Sequence, residues 1–338
     1  MKALLRALTA LAVLALGLVG AAPASADTSL LGPAPLTVSL TFDDGFASQV
    51  DAVKLLSKHD LNGTFYIING LVDTNRYLTW EQITRIAAAG NEIGGHTVTH
   101  PHLDKLPYAQ AKAEICDNRA TLLALGFQVT NFAYPYGSSS ADNEKQAKEC
   151  GYNSARDVSG LVNAQNGGCL DCELSNPVPP TNPYRVLANS STTDDLAGLK
   201  RYVTQAQASG SGWVPLIFHR FCATPEACAE EKKTDDEWIS LTDFDALLTW
   251  LTAQPGVVVK TMQQVVGGIV QPSVGTPTAA SLTAFKTVNQ PAPLSQTAAI
   301  RPLGVPIGQT QVLLGGIGAA VIIAGTYRLA RRGRRYVG

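Results

Sequence analysis

Leu36-Thr37-Val38-Ser39-Leu40-Thr41-Phe42-Asp43-Asp44-Gly45 opens the region where strand-like and helix-like segments begin to alternate. Seven β-forming and apolar residues run without a break, and two carboxylates and a glycine end them. Such a run suits a strand buried on both faces. Downstream, the pattern predicts helices over Ala47–His59, Thr79–Ala89, Ala109–Leu125, Asn143–Cys150, Leu196–Ser209 and Leu241–Ala253. Strands are expected at Gly63–Ile68, Glu92–Gly94, Val129–Tyr134, Tyr184–Leu187, Trp213–Phe218 and Val257–Lys260. Thr79 and Gln82 have capping-box spacing, and Gly126 and Gly151 follow two of the helices. Strands alternating with helices imply βαβ units, a mostly parallel sheet and an α/β fold closing toward a barrel. Active sites on such barrels gather at the carboxyl ends of the strands.

The flanks differ from this body. Met1–Ala26 carries Lys2 and Arg6, an apolar stretch from Ala7 to Gly20, and Ala24-Ser25-Ala26. This is the layout of a secretory signal peptide, with a mature chain from Asp27. Residues 27–270 then form one catalytic-sized domain, and Asn163–Asn182 is a Gly-, Pro-, Asn- and Cys-rich insertion within it. Residues 271–311 are rich in Pro, Thr, Ala and Ser and read as a disordered linker. Val312–Thr326 is apolar and arginines follow it, so 312–330 reads as a single transmembrane helix and 331–338 as a basic cytoplasmic tail. The expectation is an exported protein on the cell surface with its catalytic domain outside, held to the membrane by the C-terminal helix. A sorting signal is the competing reading of the tail, but no Leu-Pro-x-Thr-Gly precedes it.

Composition narrows the partners. The chain of 338 residues is 45% hydrophobic and 16% charged, with a formal net charge of -1. That suits a globular core and gives no basic field for nucleic acid. No feature points to a protein partner. Six cysteines in an exported chain suggest disulfides, here Cys116 with Cys150, Cys169 with Cys172 and Cys222 with Cys228.

Four motifs fall at strand ends. In Thr41-Phe42-Asp43-Asp44-Gly45, one carboxylate can bind a cation while the other acts as a base. By itself this is also an ordinary turn. In His96-Thr97-Val98-Thr99-His100, an i, i+4 spacing on a helical turn brings both imidazoles to one ion. With Asp44 they make a two-histidine, one-carboxylate set that leaves positions open for water and substrate. Phe132-Ala133-Tyr134-Pro135-Tyr136-Gly137 forms a rigid turn whose amides can face an oxyanion. Leu216-Ile217-Phe218-His219 places a histidine where it can protonate a leaving amine. His102, two places on from His100, reads as solvated, and His59 as a helix-end cation.

Taken together, these motifs resemble the NodB-homology polysaccharide deacetylases, carbohydrate esterase family 4, over about Leu36 to Met262. The resemblance implies a distorted (β/α) barrel of NodB type and a divalent metal, expected to be zinc, on Asp44, His96 and His100. It implies Asp43 as catalytic base and His219 as general acid. The Tyr136 amide, after Pro135, would help hold the oxyanion, and Ile217 would sit beside the acetyl methyl. Family members often carry an arginine where Ala133 stands, and a tryptophan in a fourth motif that has no counterpart here. Arg156, in Ser154-Ala155-Arg156-Asp157, is expected to take the arginine's place and orient Asp43. The implied activity is metal-dependent removal of N-acetyl groups from an N-acetylglucosamine-containing surface polysaccharide, such as peptidoglycan. The alternatives are an O-acetyl polysaccharide esterase with the same machinery, or a non-catalytic glycan-binding protein of the same fold.

Overall fold

A computed structural model describes residues 35–162, 172–190, 195–231 and 237–289. The expected signal peptide (1–26), transmembrane segment (312–330), basic tail (331–338) and Cys169 lie outside these residues. Among the described residues, no helix is long and apolar enough to cross a membrane.

The element order is β1 (Leu36–Phe42), α1 (Gln49–Lys58), β2 (Thr64–Ile67), α2 (Trp80–Ala88), β3 (Glu92–Gly95), α3 (Tyr108–Ala124), β4 (Asn131–Ala133) and α4 (Ala141–Glu149). There follow β5 (Ser154–Gly160), β6 (Val186–Ala188), α5 (Leu196–Ala208), β7 (Trp213–Phe218), β8 (Arg220–Cys222) and α6 (Pro225–Glu231). The last are β9 (Trp238–Ser240), α7 (Leu241–Ala253), β10 (Val257–Val259), α8 (Met262–Val266) and α9 (Ala279–Asn289).

β1 is the hub of a parallel sheet. Along one edge it pairs over six residues with β7, from Thr37 with Trp213 to Phe42 with Phe218. Along the other it pairs first with β10 and then, past a fork, with β2. β3, β4, β5 and β6 follow in sequence order, all parallel. The sheet curls until β6 approaches β7. There Asn189 N donates to Pro215 O at 3.4 Å, and Ile217 N donates to Asn189 Oδ1 at 2.7 Å. All seven residues of β1 are buried, and of its hydroxyls Ser39 Oγ donates to Lys260 O at 2.7 Å and Thr41 Oγ1 to Leu216 O at 2.9 Å.

Outside the strands, helices cover an apolar layer with Phe42 at its centre. Phe42 stacks on Phe65 at 4.3 Å between ring centroids and meets Phe244 edge-on at 5.9 Å. Aromatic pairs of this kind are worth about 0.5–1.5 kcal/mol each beyond the area they bury. Disulfides join Cys116 to Cys150, tying α3 to α4, and Cys222 to Cys228. Cys172 is disulfide-bonded as well.

Two expectations need correction. A strand at Ser154–Gly160 was not expected, because Arg156 and Asp157 break any apolar pattern. Both charges are buried with partners, so the strand is central to the sheet all the same. The disordered linker was expected to begin at 271, yet residues 271–289 lie against the domain. Arg119 Nη2 donates to Gln271 O at 2.9 Å and Nη1 to Pro272 O at 3.1 Å. Phe285 on α9 packs edge-on against Trp80, with 6.0 Å between ring centroids. Composition misled here because backbone carbonyls, not apolar side chains, make the first contacts.

Candidate metal and catalytic site

The site lies at the carboxyl ends of the strands. Asp43 and Asp44 follow β1 directly, and Asp43 N extends the ladder by donating to Phe218 O at 2.9 Å. Gln49, buried at the start of α1, ties two strand ends together. Its Nε2 donates to Asp43 O at 2.6 Å and to His219 O at 2.9 Å. Asp44 itself has φ 71° and Gly45 φ 74°. This left-handed corner, which Asp tolerates better than most residues, swings the Asp44 carboxylate away from the strand direction.

His96 and His100 converge with Asp44, but not on a helical turn. They flank an irregular loop after β3 in which Thr97 (φ 65°) and His100 (φ 62°) are both left-handed. Two residues of α3, Glu114 and Asn118, hold that loop. The Glu114 carboxylate accepts from Val98 N (2.9 Å), Thr99 N (2.8 Å) and Thr99 Oγ1 (2.8 Å). Asn118, fully buried, accepts from His96 N at 3.2 Å and donates to Thr97 O at 2.6 Å. Left-handed residues cost free energy and persist only where the surroundings over-determine them. Glu114 and Asn118 supply that constraint.

His96 Nδ1 donates to the carbonyl of Ala133 at 2.8 Å. This fixes the tautomer and leaves the Nε2 lone pair facing the site. Nε2 of His96 lies 3.3 Å, and Nε2 of His100 3.2 Å, from Asp44 Oδ1. That oxygen is buried and makes no well-aligned hydrogen bond. Three lone-pair donors turned toward one point, one of them an orphaned carboxylate oxygen, fit a divalent cation. Without a cation, the titration behaviour reflects the crowding. Burial raises the Asp44 pKa, but the two imidazoles and the field of His219 outweigh it and hold the carboxyl well below its ordinary range. Burial lowers the His96 pKa, yet Asp44 and the field of Asp43 outweigh it, so the net direction is upward. His100 goes the other way, lowered by burial and by the neighbouring His96 against the pull of Asp44.

Asp43 is 1% exposed and Arg156 is 0% exposed. Arg156 Nη2 donates to both Asp43 oxygens, to Oδ1 at 2.5 Å. Its guanidinium lies over the Tyr66 ring, 5.2 Å from the centroid, and Nη1 donates to Asp157 O at 3.0 Å. The Ala133–Arg156 register between β4 and β5 sets this position. Ala133 adds only its small side chain and the carbonyl that His96 uses. Asp157 faces elsewhere, accepting from Ser139 Oγ at 2.9 Å and Val158 N at 2.8 Å beside the Pro135–Gly137 turn.

Tyr136, at φ 59°, is the exposed member of that turn, while Pro135 is buried. The Tyr136 ring is 4.5 Å from His100 and stacks on His102 at 4.1 Å. His102 is exposed, as its reading as a solvated residue implies, with one ring face against Tyr136. Asp43, Asp44, His96, His100, Tyr136 and His219 line one cavity of about 380 Å³. Phe46, Ile68 and Val158 give it apolar walls, and Tyr77, Arg220 and Glu237 a polar rim. Ile217 is buried within β7 and does not line this cavity. β7 runs on past it toward His219, leaving Ile217 below the mouth, and the apolar wall falls to Ile68 and Val158 instead.

Glu237 was not anticipated. Its Oε1 is 3.9 Å from His219 Nε2, and these two groups with Asp44 form a second convergent set of ligand atoms. Asp44 belongs to both sets, so they are two halves of one site. Nothing in the charged run Glu230–Glu237 marks one carboxylate out from the others. Asn118 carried a faint signal, since it lies four residues after Glu114 on one face of α3.

Comparison with known proteins agrees with the geometry. Residues 32–155 match the family model of polysaccharide deacetylases. Over that stretch the chain is similar to the NodB-homology polysaccharide deacetylases. A chitin deacetylase of Pestalotiopsis sp. is 35% identical over 109 residues, covering 32% of this chain and 36% of that protein. The peptidoglycan-N-acetylmuramic acid deacetylase PdaC of Bacillus subtilis is 29% identical over 119 residues, covering 34% of this chain and 25% of that protein. The chain thus spans about a third and a quarter of these relatives' lengths. The solved structure of the PdaC peptidoglycan deacetylase aligns with 19% identity and a TM-score of 0.41, over 68% of this chain and 90% of that one.

Proposed function

We propose that this protein is a metal-dependent hydrolase that removes N-acetyl groups from an N-acetylglucosamine-containing envelope glycan. One observation carries the reading. An open three-donor site, Asp44–His96–His100, stands beside a carboxylate, Asp43, that is locked in place by a buried arginine. A structural metal site normally closes with four protein ligands, whereas three leave room for substrate. A divalent cation held there, with zinc as the best fit to two imidazoles and a carboxylate, supplies Lewis-acid chemistry toward an acyl oxygen and a neighbouring water.

The chain's own groups do the rest. Asp43, aimed by Arg156, takes the proton of the attacking water. Arg156 keeps that carboxylate from turning toward the cation site, which divides the labour between the two adjacent aspartates. The amide of Tyr136 faces the developing oxyanion. His219 gives its proton to the departing amine, with the Glu237 carboxylate 3.9 Å from its Nε2. Ile68 and Val158 offer an apolar wall to the acetyl methyl. The products are acetate and a free amino sugar.

Export is part of the proposal. Its supports are the Met1–Ala26 layout and the disulfides of the body, which persist in oxidising compartments. We place the domain outside the cell, held near the surface by the apolar segment Val312–Thr326. Protease added to intact cells should degrade it. Protection until lysis would refute the outside placement.

Asp43→Asn tests the chemistry. General-base loss should lower kcat by about 10²–10⁴-fold while zinc binding is kept. Turnover unchanged in this variant would overturn the assignment of the base.

A further inference from the structure

Residues 271–289 are linked to the cation site by a continuous set of polar contacts that starts at the surface of α3 and is buried from Ser281 and Asn69 to Asn118. We propose that this strap positions the metal-binding loop, so that the loop is held in its left-handed conformation only while the strap is docked. This rests on the metal reading above.

The contacts run as follows. At its start the strap is gripped by α3. Arg119 holds the carbonyls of Gln271 and Pro272, the Asp117 carboxylate accepts from Thr276 N at 2.6 Å, and Thr121 Oγ1 accepts from Thr278 N at 2.8 Å. Gly275 (φ 105°) passes so close that an added Cβ would lie 2.7 Å from the Cys116 carbonyl carbon on α3. The next turn reaches the loop after β2. There Asn69 Nδ2 lies within hydrogen-bonding distance of Thr278 Oγ1 (3.3 Å) and Ser281 Oγ (3.4 Å), and Ser281 Oγ donates to Asn69 O at 3.3 Å. Asn69 and Ser281 are both buried.

Asn69 then meets the helix that holds the histidines, its Oδ1 accepting from Asn118 Nδ2 at 2.7 Å. The same Asn118 grips His96 N and Thr97 O. Beside it, Gly70 N donates to Val98 O at 3.0 Å. A Cβ on Gly70 would come within 2.4 Å of that oxygen, so the two loops touch backbone to backbone.

Two i, i+4 stripes of α3 thus serve opposite ends of one path. Glu114 and Asn118 face the histidine loop, while Asp117 and Thr121 face the strap. The strap fills the hydrogen-bonding capacity of Asn69 and pins the register of α3. Groups that orient metal ligands typically change affinity about 10–100-fold when removed.

The test uses the full chain carrying Thr278→Val with Ser281→Ala, and separately Gly275→Val, which lifts the strap off α3. Lys286→Ala, exposed on α9, is the control. Two quantities are read: zinc affinity by competition with a chelating dye, and amide hydrogen exchange at Val98–His100 in metal-free protein. The proposal expects zinc binding about tenfold weaker and exchange in the loop faster by a similar factor, with kcat at saturating zinc little changed. Unchanged affinity and exchange in both strap variants would overturn it. If one variant fails to fold, the other decides. Wild-type protein that binds no zinc would sink the metal reading instead, and the exchange experiment would still decide whether strap and loop are coupled.

Discussion

Replacing Arg156 by Met removes one half of an ion pair in which both partners are buried. Met keeps much of the volume and leaves the Asp43 carboxylate buried without its cation. Breaking a buried pair in this way costs about 3–5 kcal/mol. Loss of the contact with the Tyr66 face, 5.2 Å from the guanidinium, adds about 0.5–2 kcal/mol. A domain with a total stability of about 5–15 kcal/mol would feel this strongly. The double variant Asp43→Asn/Arg156→Met buries no charge, and should recover about 2 kcal/mol of the loss. Urea unfolding of wild type, both single variants and the double variant measures the coupling. The activity arm is separate. A carboxylate no longer aimed by the guanidinium is misplaced for proton abstraction, so kcat should fall in Arg156→Met while zinc affinity is kept. A stability loss below about 1 kcal/mol, typical of exposed pairs, with no rescue in the double variant, would refute the reasoning.

Other consequences follow from the same geometry. Because the His96 pKa is raised, a proton competes with a cation for Nε2. Zinc affinity should fall as pH drops through a value above histidine's ordinary pKa, which titration calorimetry from pH 5 to pH 8 would show; a flat affinity would contradict it. Saturating zinc at about 100 times its Kd should stabilise the fold by about 2.7 kcal/mol, and chelator should remove this. Calorimetry with and without chelator checks it, and an unmoved Tm would count against the site. Gly70→Ala places a Cβ 2.4 Å from Val98 O, so it should weaken zinc binding more than it lowers the Tm. Cys116→Ser/Cys150→Ser opens a crosslink of sequence separation 34, and should cost about 3–4 kcal/mol by chain entropy. Urea unfolding would reveal a smaller loss if reduced α3 and α4 stay ordered.

Much of the sheet was legible because buried parallel strands declare themselves as apolar runs. Trp213–Phe218 is such a run, and it pairs with Leu36–Phe42, where apolar residues alternate with buried hydroxyls. The capping box at Thr79 and Gln82 is formed as the spacing implies. β5 was hidden because its buried charges are neutralised by partners distant in sequence, above all Arg156 by Asp43, 113 residues away. The two histidines converge as their spacing implies, but not on a helical turn: a helix and a doubly left-handed loop both let residues i and i+4 converge, and only backbone angles separate them. The strap was invisible for a similar reason. Its anchors are main-chain carbonyls and small hydroxyls, which a composition reading assigns to a linker. Glu237 reaches His219 only because β8 and β9 pair, from Arg220 with Trp238 onward, and nothing in a charged surface run predicts that.

The most direct test is acetate release by the full chain from N-acetylglucosamine oligomers and from peptidoglycan. It should run beside an O-acetylated xylan, with added zinc, with chelator, and with Asp43→Asn. Release from the N-acetylated glycans that disappears with chelator and with Asp43→Asn is the predicted result. Release only from the O-acetylated polymer, or no release from a folded, zinc-loaded protein, would contradict the proposed N-deacetylase.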